Sequence, residues 1–555
     1  MIRLPLCATV LATLALAPAA QAAPADFGAK QEQLLHAQSV QLFGFNHPIG
    51  ASATADDYVP REDASAAERQ LLAHGLLPEF VTRKVGGLAD MIAFWPDDLD
   101  YTHVIVCNEW GRSPGGVGLN KGRNPSVQRI DVNTGEVENI LFGMSRCDGL
   151  RTTQWGTVLA TEENGADGSA YEILDPLGTT GCWVYDRGLP GVDADIRSAY
   201  NDGTPDSCES EIKKRTALVA QSWEGLEVLH NGVVIGGDEL RGSEDFDGGA
   251  IFRFVPETFY ECQGAPVRPG LLCGNTISDL DDSPFVSGQN YALFHACSGT
   301  RDYGQGCEYG DAGRWVAVDA PTARFDADER GATGYCRPED LHVDRSYGMY
   351  AGGEGIRWCW TNTCGGSDGE ALCVIEGDAA VSARDQVQLN IGGEAGQQYF
   401  LANGSSLATA DTQRFVESDA EMQSHDNLDI QPFTGNVYLI EDYNEIEDGG
   451  TGGDVWACLP DGADRDERTD GCVKVLSVVD PESEPSGFIF DGTGKTAFTA
   501  MMTKALLEGH QAGKLLLIDA DPALGLPNAL GVKVKRSMGQ IREDIIKTAR
   551  SGDQS

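Results

Sequence analysis

One pattern recurs along this chain and limits the folds open to it. An acidic residue is followed by a short apolar run, a turn, a second apolar run, an acidic cluster and a third run. One copy comprises Glu224, residues 226–229, Asn231-Gly232, 233–235, Asp238-Glu239 and 249–254. A second comprises Asp426-Asn427, 428–430, Gly435, 437–440, Glu441-Asp442 and 455–458. A looser third opens at Glu339-Asp340 and runs through 341–343, Tyr347-Gly348 and Glu354 to 371–375. Residues 486–500 with 514–519 form one more. Short apolar runs between turns read as strands. Units of roughly 40–50 residues with several strands each point to the blades of a β-propeller. Insertions stretch the period, so five to seven blades fit, and a pair of β-sandwiches is the competing arrangement. Glycine at 68 of 555 positions suits an all-β chain dense in tight turns.

Charge narrows the partners. With 85 acidic against 41 basic side chains the net charge is −44. Phosphate contacts need Lys and Arg, so nucleic acid and an anionic membrane surface are poor partners. The start of the chain reads as a Sec-type secretory signal over residues 1–22, with Arg3, an apolar stretch over 4–16 and Ala-Gln-Ala near the cleavage point. The expected organisation is a polar lead-in over 23–90 with a helical stretch at 66–73. A propeller over 91–530 follows, carrying a Cys-rich loop insertion at 262–335, then a tail over 531–555. The protein is expected in the periplasm or outside the cell, as a monomer. Of 15 cysteines, Cys7 lies in the signal, and most of the rest should pair in an oxidising compartment. Local bridges are expected for Cys182 with Cys208, Cys262 with Cys273, Cys297 with Cys307 and Cys458 with Cys472. Cys336, Cys359, Cys364 and Cys373 supply two more. Cys107 and Cys147 remain, and either bridge each other or leave Cys147 as a thiolate.

Inner strands of a propeller converge on a central channel, so acids that open each repeat would meet there. The candidates are Glu109, Glu162, Glu163, Glu224, Glu339 and Asp426. Like charges so close need cations, and calcium accepts six to eight oxygen ligands. A Cys147 thiolate among them would favour iron or zinc. Arg337, two residues before Glu339, is placed to bind a phosphate or carboxylate. Asp340 and Asn427 are candidates to orient ligands from behind. Asp461 to Asp470 reads as a solvated acidic loop. There is no Walker-type phosphate loop, His-Glu-x-x-His or Gly-x-Ser-x-Gly.

Several short blocks resemble those of the PhoX-type bacterial alkaline phosphatases. The family's Cys-Ala-Gly-Gly, Thr-Pro-Trp-Gly-Thr and Glu-Glu are similar to Cys147-Asp148-Gly149-Leu150, Thr153-Gln154-Trp155-Gly156-Thr157 and Glu162-Glu163, at matching spacing. Its Asn-His-Glu resembles Cys107-Asn108-Glu109, and its His-Glu with Tyr-Arg-Phe resembles Trp223-Glu224 with Phe252-Arg253-Phe254. Its Arg-Pro-Glu-Asp stands intact at Arg337-Pro338-Glu339-Asp340, and its Pro-Asp-Asn-Leu resembles His425-Asp426-Asn427-Leu428. The chain departs from the family in its signal, which lacks the twin arginine, and in Asn108 and Trp223 where the family has histidine. The resemblance implies a six-bladed propeller holding ferric and calcium ions on Glu109, Cys147, Glu162, Glu163, Glu224, Glu339 and Asp426. It also implies phosphate on Arg337, and hydrolysis of small phosphate monoesters. The alternatives are a calcium-dependent hydrolase of another ester or a lactone, or a non-catalytic calcium-binding surface propeller.

Overall fold

The structure is a computed structural model. It describes residues 33–519, except 61–63, 112–124, 199–205, 244–246, 265–267, 295–308, 354, 365–368, 377–409, 419–420, 443, 447–448, 461–470 and 504–512. The expected signal, the tail, the acidic loop at 461–470 and the Cys297–Cys307 pair lie outside the described residues.

The strands form six blades around a channel, antiparallel except where Cys182–Asp186 pairs in parallel with Val137–Phe142 at the edge of the first. The innermost strands are Ala89–Trp95, Cys147–Thr152, Trp223–Val228, Pro338–Val343, His425–Ile430 and Ser483–Phe490. Each packs beside the next, and the sixth packs beside the first, so the ring closes. The first blade continues outward through His103–Asn108, Val127–Asp131 and Val137–Phe142. The fifth takes Gln70–Leu72 as its outermost strand, paired with Cys472–Val478. The sixth is completed by Leu77–Val85, which pairs with Gly513–Asp519. An early strand therefore hydrogen-bonds to the last one, so parting the two ends of the ring requires breaking a full ladder.

Two expected boundaries move. Residues 70–90, assigned to the polar lead-in, supply two outer strands and the start of the first inner strand. The helix expected at 66–73 is a single 3-10 turn, Ala66–Glu68, followed by a strand. The segment at 262–335, expected as a loop insertion, contains Gly288–Phe294, the fourth strand of the third blade. It also contains Tyr309–Val318, which pairs with both Gly288–Phe294 and Ala410–Glu417 and joins the third and fourth blades into one sheet.

Six apolar clusters fill the six blade interfaces. Ile105, Leu141, Leu150 and Val158 lie between blades one and two, Leu159, Leu226 and Phe252 between two and three, and Ile235, Leu341 and Trp358 between three and four. Cys359, Leu428 and Leu439 lie between four and five, Tyr438, Phe488 and Phe490 between five and six, and Ile92, Val104 and Phe498 between six and one. All inner-strand residues from 223–228, 338–343, 425–430 and 483–490 are buried. Both faces are covered, so hydrophobic alternation is lost and polar residues sit in strands without solvent.

Six disulfides occur among the described residues, including every described pair expected from spacing. The Cys336/359/364/373 set resolves as Cys336–Cys364 and Cys359–Cys373. Cys107–Cys147 crosses from the first blade to the second. It closes a loop of 40 residues, so the double variant Cys107→Ser/Cys147→Ser should lose roughly 2–4 kcal/mol of stability. Its metal content should be unchanged, as chemical denaturation and elemental analysis would show.

Candidate functional site

A shared irregularity builds the site. In every blade the inner strand carries one extra residue against its neighbour, a β-bulge. It falls between Ala89 and Ile92, Cys147 and Leu150, and Trp223 and Leu226. In the other three it falls between Pro338 and Leu341, His425 and Leu428, and Ser486 and Ile489. A bulge bends the strand and re-aims a side chain. The first bulged residue is Asp90, Asp148, Glu224, Glu339 or Asp426 in five blades, and Gly487 in the sixth. All five acids are buried. The strands approach so closely here that a Cβ on Gly225 would lie 2.3 Å from the Glu339 carbonyl oxygen, and one on Gly487 2.2 Å from that of Asp90. Glycine at these two positions lets the acids converge.

A second tier comes from the blade corners. In five of the six blades the carbonyl of the residue before the bulge pair accepts the N–H of the residue after the second strand. The pairs are Leu88 with Glu109, Arg146 with Glu163, Ser222 with Glu239, Arg337 with Thr363 and Ser424 with Asp442. The corner therefore sets Glu109, Glu163, Glu239 and Asp442 at equivalent positions above the bulge acids. In the fourth blade Thr363 takes that place and its hydroxyl donates to Glu339.

Carboxylate oxygens gather into three groups, each with all atoms within 4.8 Å: Asp90, Asp148 and Glu224; Glu163, Glu224 and Glu239; Glu224, Glu339 and Asp426. Glu224 belongs to all three. Glu109 lies against Glu163 and so adjoins them. Burial and then the neighbouring acids hold Glu109, Asp148, Glu224 and Asp426 well above the usual carboxylate range. Burial pushes Asp90 up to about 7 against a hydrogen bond from Ser486. Glu339 also rises to about 7 through burial, in spite of Arg337 and Thr363. Glu239 is pushed up to about 9 by burial and by Glu339. Glu163 alone is lowered: burial would raise it, but hydrogen bonds with Glu239 and Glu109 and the Arg146 charge outweigh burial.

Such a hub demands protons or cations. Both carboxylate oxygens of Asp148 and Oε2 of Glu339 are buried and accept no hydrogen bond among the described residues. Each of these residues shares a carboxylate group with Glu224, and the all-oxygen donor set fits calcium.

Two expected ligands stand elsewhere. Cys147 is bonded to Cys107 and fully buried, so no thiolate is present and thiolate-bound iron does not fit this centre. Glu162 and Glu163 are adjacent on extended backbone and so face opposite ways. Glu162 accepts from Arg187 Nε at 2.8 Å, Arg187 Nη2 at 2.6 Å and Ser145 N at 2.8 Å, a structural ion pair outside the cluster. Asp90, Asp148 and Glu239 belong to the cluster and were not singled out from the sequence. Asp90 fell in the supposed lead-in, while Asp148 and Glu239 stood inside quoted blocks without a role. Their common position one residue into the bulge is a signal only strand register reveals.

Arg337 lies beside the cluster. Its Nε donates to Glu239 Oε1 at 2.6 Å, and its Nη2 lies 3.4 Å from Glu339 Oε1. The flanking Cys336–Cys364 bridge pins this corner. Its φ of 55° is left-handed, a conformation that costs a non-glycine residue about 1–2 kcal/mol. Asp340 and Asn427 directly follow the bulge acids Glu339 and Asp426. Asp340 Oδ1 accepts from Arg151 at 3.0 Å, and Asn427 Oδ1 accepts from Gly487 N at 2.6 Å, tying the fifth inner strand to the sixth.

Further along the channel guanidiniums stand among the carboxylates. A cavity there is lined by Asp98, Arg151, Glu227, His342, Arg345 and Asp429. Its guanidiniums pair with carboxylates, as in Arg151–Asp340 and Arg345–Asp98.

No family model matches the chain. A segment of 56 residues is 46% identical to an uncharacterized ATP-binding protein of Methanocaldococcus jannaschii, covering 10% of this chain. The chain spans about a fifth (21%) of that relative's length. Among solved structures, the chain is similar to Pseudomonas fluorescens PhoX in complex with vanadate, a transition state analogue. Identity there is 12%, coverage 85% of this chain and 97% of that one, and the TM-score 0.48. A putative gluconolactonase is similar at 11% identity, 81% and 93% coverage and a TM-score of 0.32. The periplasmic gluconolactonase of Pseudomonas aeruginosa is similar at 11% identity, 71% and 86% coverage and a TM-score of 0.26. These are likenesses in outline, and the six-bladed propeller follows from the strand pairing of the chain itself.

Proposed function

We propose that this chain is an exported, cation-dependent phosphomonoesterase, with the bulge acids as the metal centre and Arg337 as the phosphate-binding group. One observation carries this reading: five acids at one structural position, with orphaned oxygens, sit beside a guanidinium held at the same hub. Asp90, Asp148, Glu224, Glu339 and Asp426 would hold calcium, with Glu163 and Glu239 from the corners. The bound cation would supply charge neutralisation for phosphoryl oxygens. Arg337 orients the phosphoryl group through its guanidinium edge, and the pinned corner limits how far it strays. Thr363 holds Glu339 so that its second oxygen points free of the first. The disulfides support an oxidising, exported setting, and no helix among the described residues is long and apolar enough to cross a membrane.

Phosphate release from p-nitrophenyl phosphate by the exported protein, lost on chelation and restored by calcium, is the expected result. Full calcium loading without any phosphate release overturns the reading. Arg337→Ala should lower kcat/KM about 10²–10³-fold, roughly 3–4 kcal/mol of transition-state stabilisation. An unchanged kcat/KM would place the phosphate elsewhere.

The bridged Cys147 favours a second reading, a calcium-only hydrolase of another ester or a lactone in which Arg337 binds a carboxylate. Lactone turnover with calcium and none on phosphate esters selects it.

A further inference from the structure

We infer that the hub has a second anion-binding position at Arg146, so that its preferred substrate is a phosphate ester carrying another negatively charged group. The inference rests on the phosphoesterase reading above and names the substrate class for that site.

The argument is positional. Arg146 in the second blade and Arg337 in the fourth are the same residue of the repeat, each immediately before an inner strand's first bulge pair. Both take the left-handed conformation, at φ 52° and 55°, and both lend their carbonyl to the corner hydrogen bond. The same backbone turn therefore places both arginines at equivalent corners, from which Arg146 reaches the corner acid of its own blade and Arg337 that of the preceding blade. Arg146 Nη1 donates to Glu163 Oε1 at 2.7 Å, as Arg337 does to Glu239 Oε1. Glu163 and Glu239 belong to one carboxylate group with Glu224. The two cations thus flank a single cluster, one through each acid.

They differ in exposure. The Arg337 side chain is 24% exposed and Arg146 50% exposed. The deeper arginine suits the phosphoryl group at the cations. The shallower one suits an anionic group on the part of the substrate that projects outward. Three corners are left-handed, and the third carries Ser424, so the turn itself does not require arginine. An acidic rim repels free anions, so a substrate with two anionic groups gains most from a second cation at this spot.

The test compares two non-hydrolysable probes on the calcium-loaded full chain by calorimetry. Phosphonoacetate carries a phosphonate and a carboxylate, whereas ethylphosphonate carries the phosphonate alone. The wild type should bind phosphonoacetate at least about tenfold more tightly, by analogy with one charge-assisted pair. Arg146→Ala should collapse that ratio towards unity, and Arg146→Lys should retain part of it. Equal affinities in the wild type, or a ratio that survives Arg146→Ala, overturn the inference. Preference for phosphonoacetate in a protein that hydrolyses no phosphate ester leaves the second anion position standing and overturns the reaction instead.

Discussion

Glu224→Gln abolishes the rise in melting temperature that calcium confers, and it makes the cation-free protein more stable under mildly alkaline conditions. The two effects have one cause. Glu224 contributes an oxygen to all three carboxylate groups found among the described residues, so its loss reaches each of them. Its replacement keeps the shape and removes the charge. Cation affinity should fall at least about 100-fold, more than losing an outer partner of a ligand costs. Without cations the same carboxylate is a burden: burial, Asp148, Glu339 and Asp426 all oppose its ionisation. Glu162→Gln is the contrasting variant. Glu162 is equally buried but accepts from Arg187, so its loss strands a guanidinium and should cost about 3–5 kcal/mol. Its response to calcium should be unchanged. Thermal melts of the three proteins, stripped and calcium-loaded, decide the matter. A Glu224→Gln protein that still gains stability from calcium would mean the hub is not the cation site.

The second large effect is the pH dependence of the stripped protein. A carboxyl whose pKa is raised on folding binds protons more tightly in the folded state. Its contribution is therefore fully present below the unfolded pKa and is lost as pH rises through the folded one. For Asp90 the window runs from 3.8 to about 7, a shift equivalent to about 4 kcal/mol. Glu339 spans 4.5 to about 7, and Glu239 extends the window to about 9. The acids share protons, so the losses merge into one broad decline rather than adding residue by residue. Stability of the stripped protein should thus fall continuously from the ordinary carboxylate range to about 9. Calcium should flatten the curve by supplying the missing charge. Denaturant melts across that range, with and without chelator, measure both slopes. A stripped protein whose stability stays level or rises over the window would show that the acids are not packed as described.

Much of this was legible beforehand. The acid–strand–turn–strand–acid rhythm announced the blades, and Glu224, Glu339 and Asp426 stood out because each opens a copy. Spacing anticipated the described disulfides, and Arg337 was placed by its neighbour Glu339. The first and sixth blades were harder. Leu77–Val85 pairs with a strand more than four hundred residues away, and no local signal marks such a partner. Asp90 was overlooked for the same reason, because the segment around it has meaning only once the ring closes. Glu162 and Glu163 could not be separated without register, since a one-residue step reverses the face. Cys147 had two possible fates, and the approach of the first blade to the second selected the bridge.

Local chemistry, then, determined the elements: where strands start and turn, which residues are acidic, and that a bulge with a neighbouring glycine can fit. Closure of the ring decided which carboxylates meet. Six inner strands from positions 89 to 490 are brought side by side by apolar blade interfaces that contain none of the acids. The core supplies the free energy, and the acids, carried into the hub by it, acquire an appetite for cations that none of them has alone.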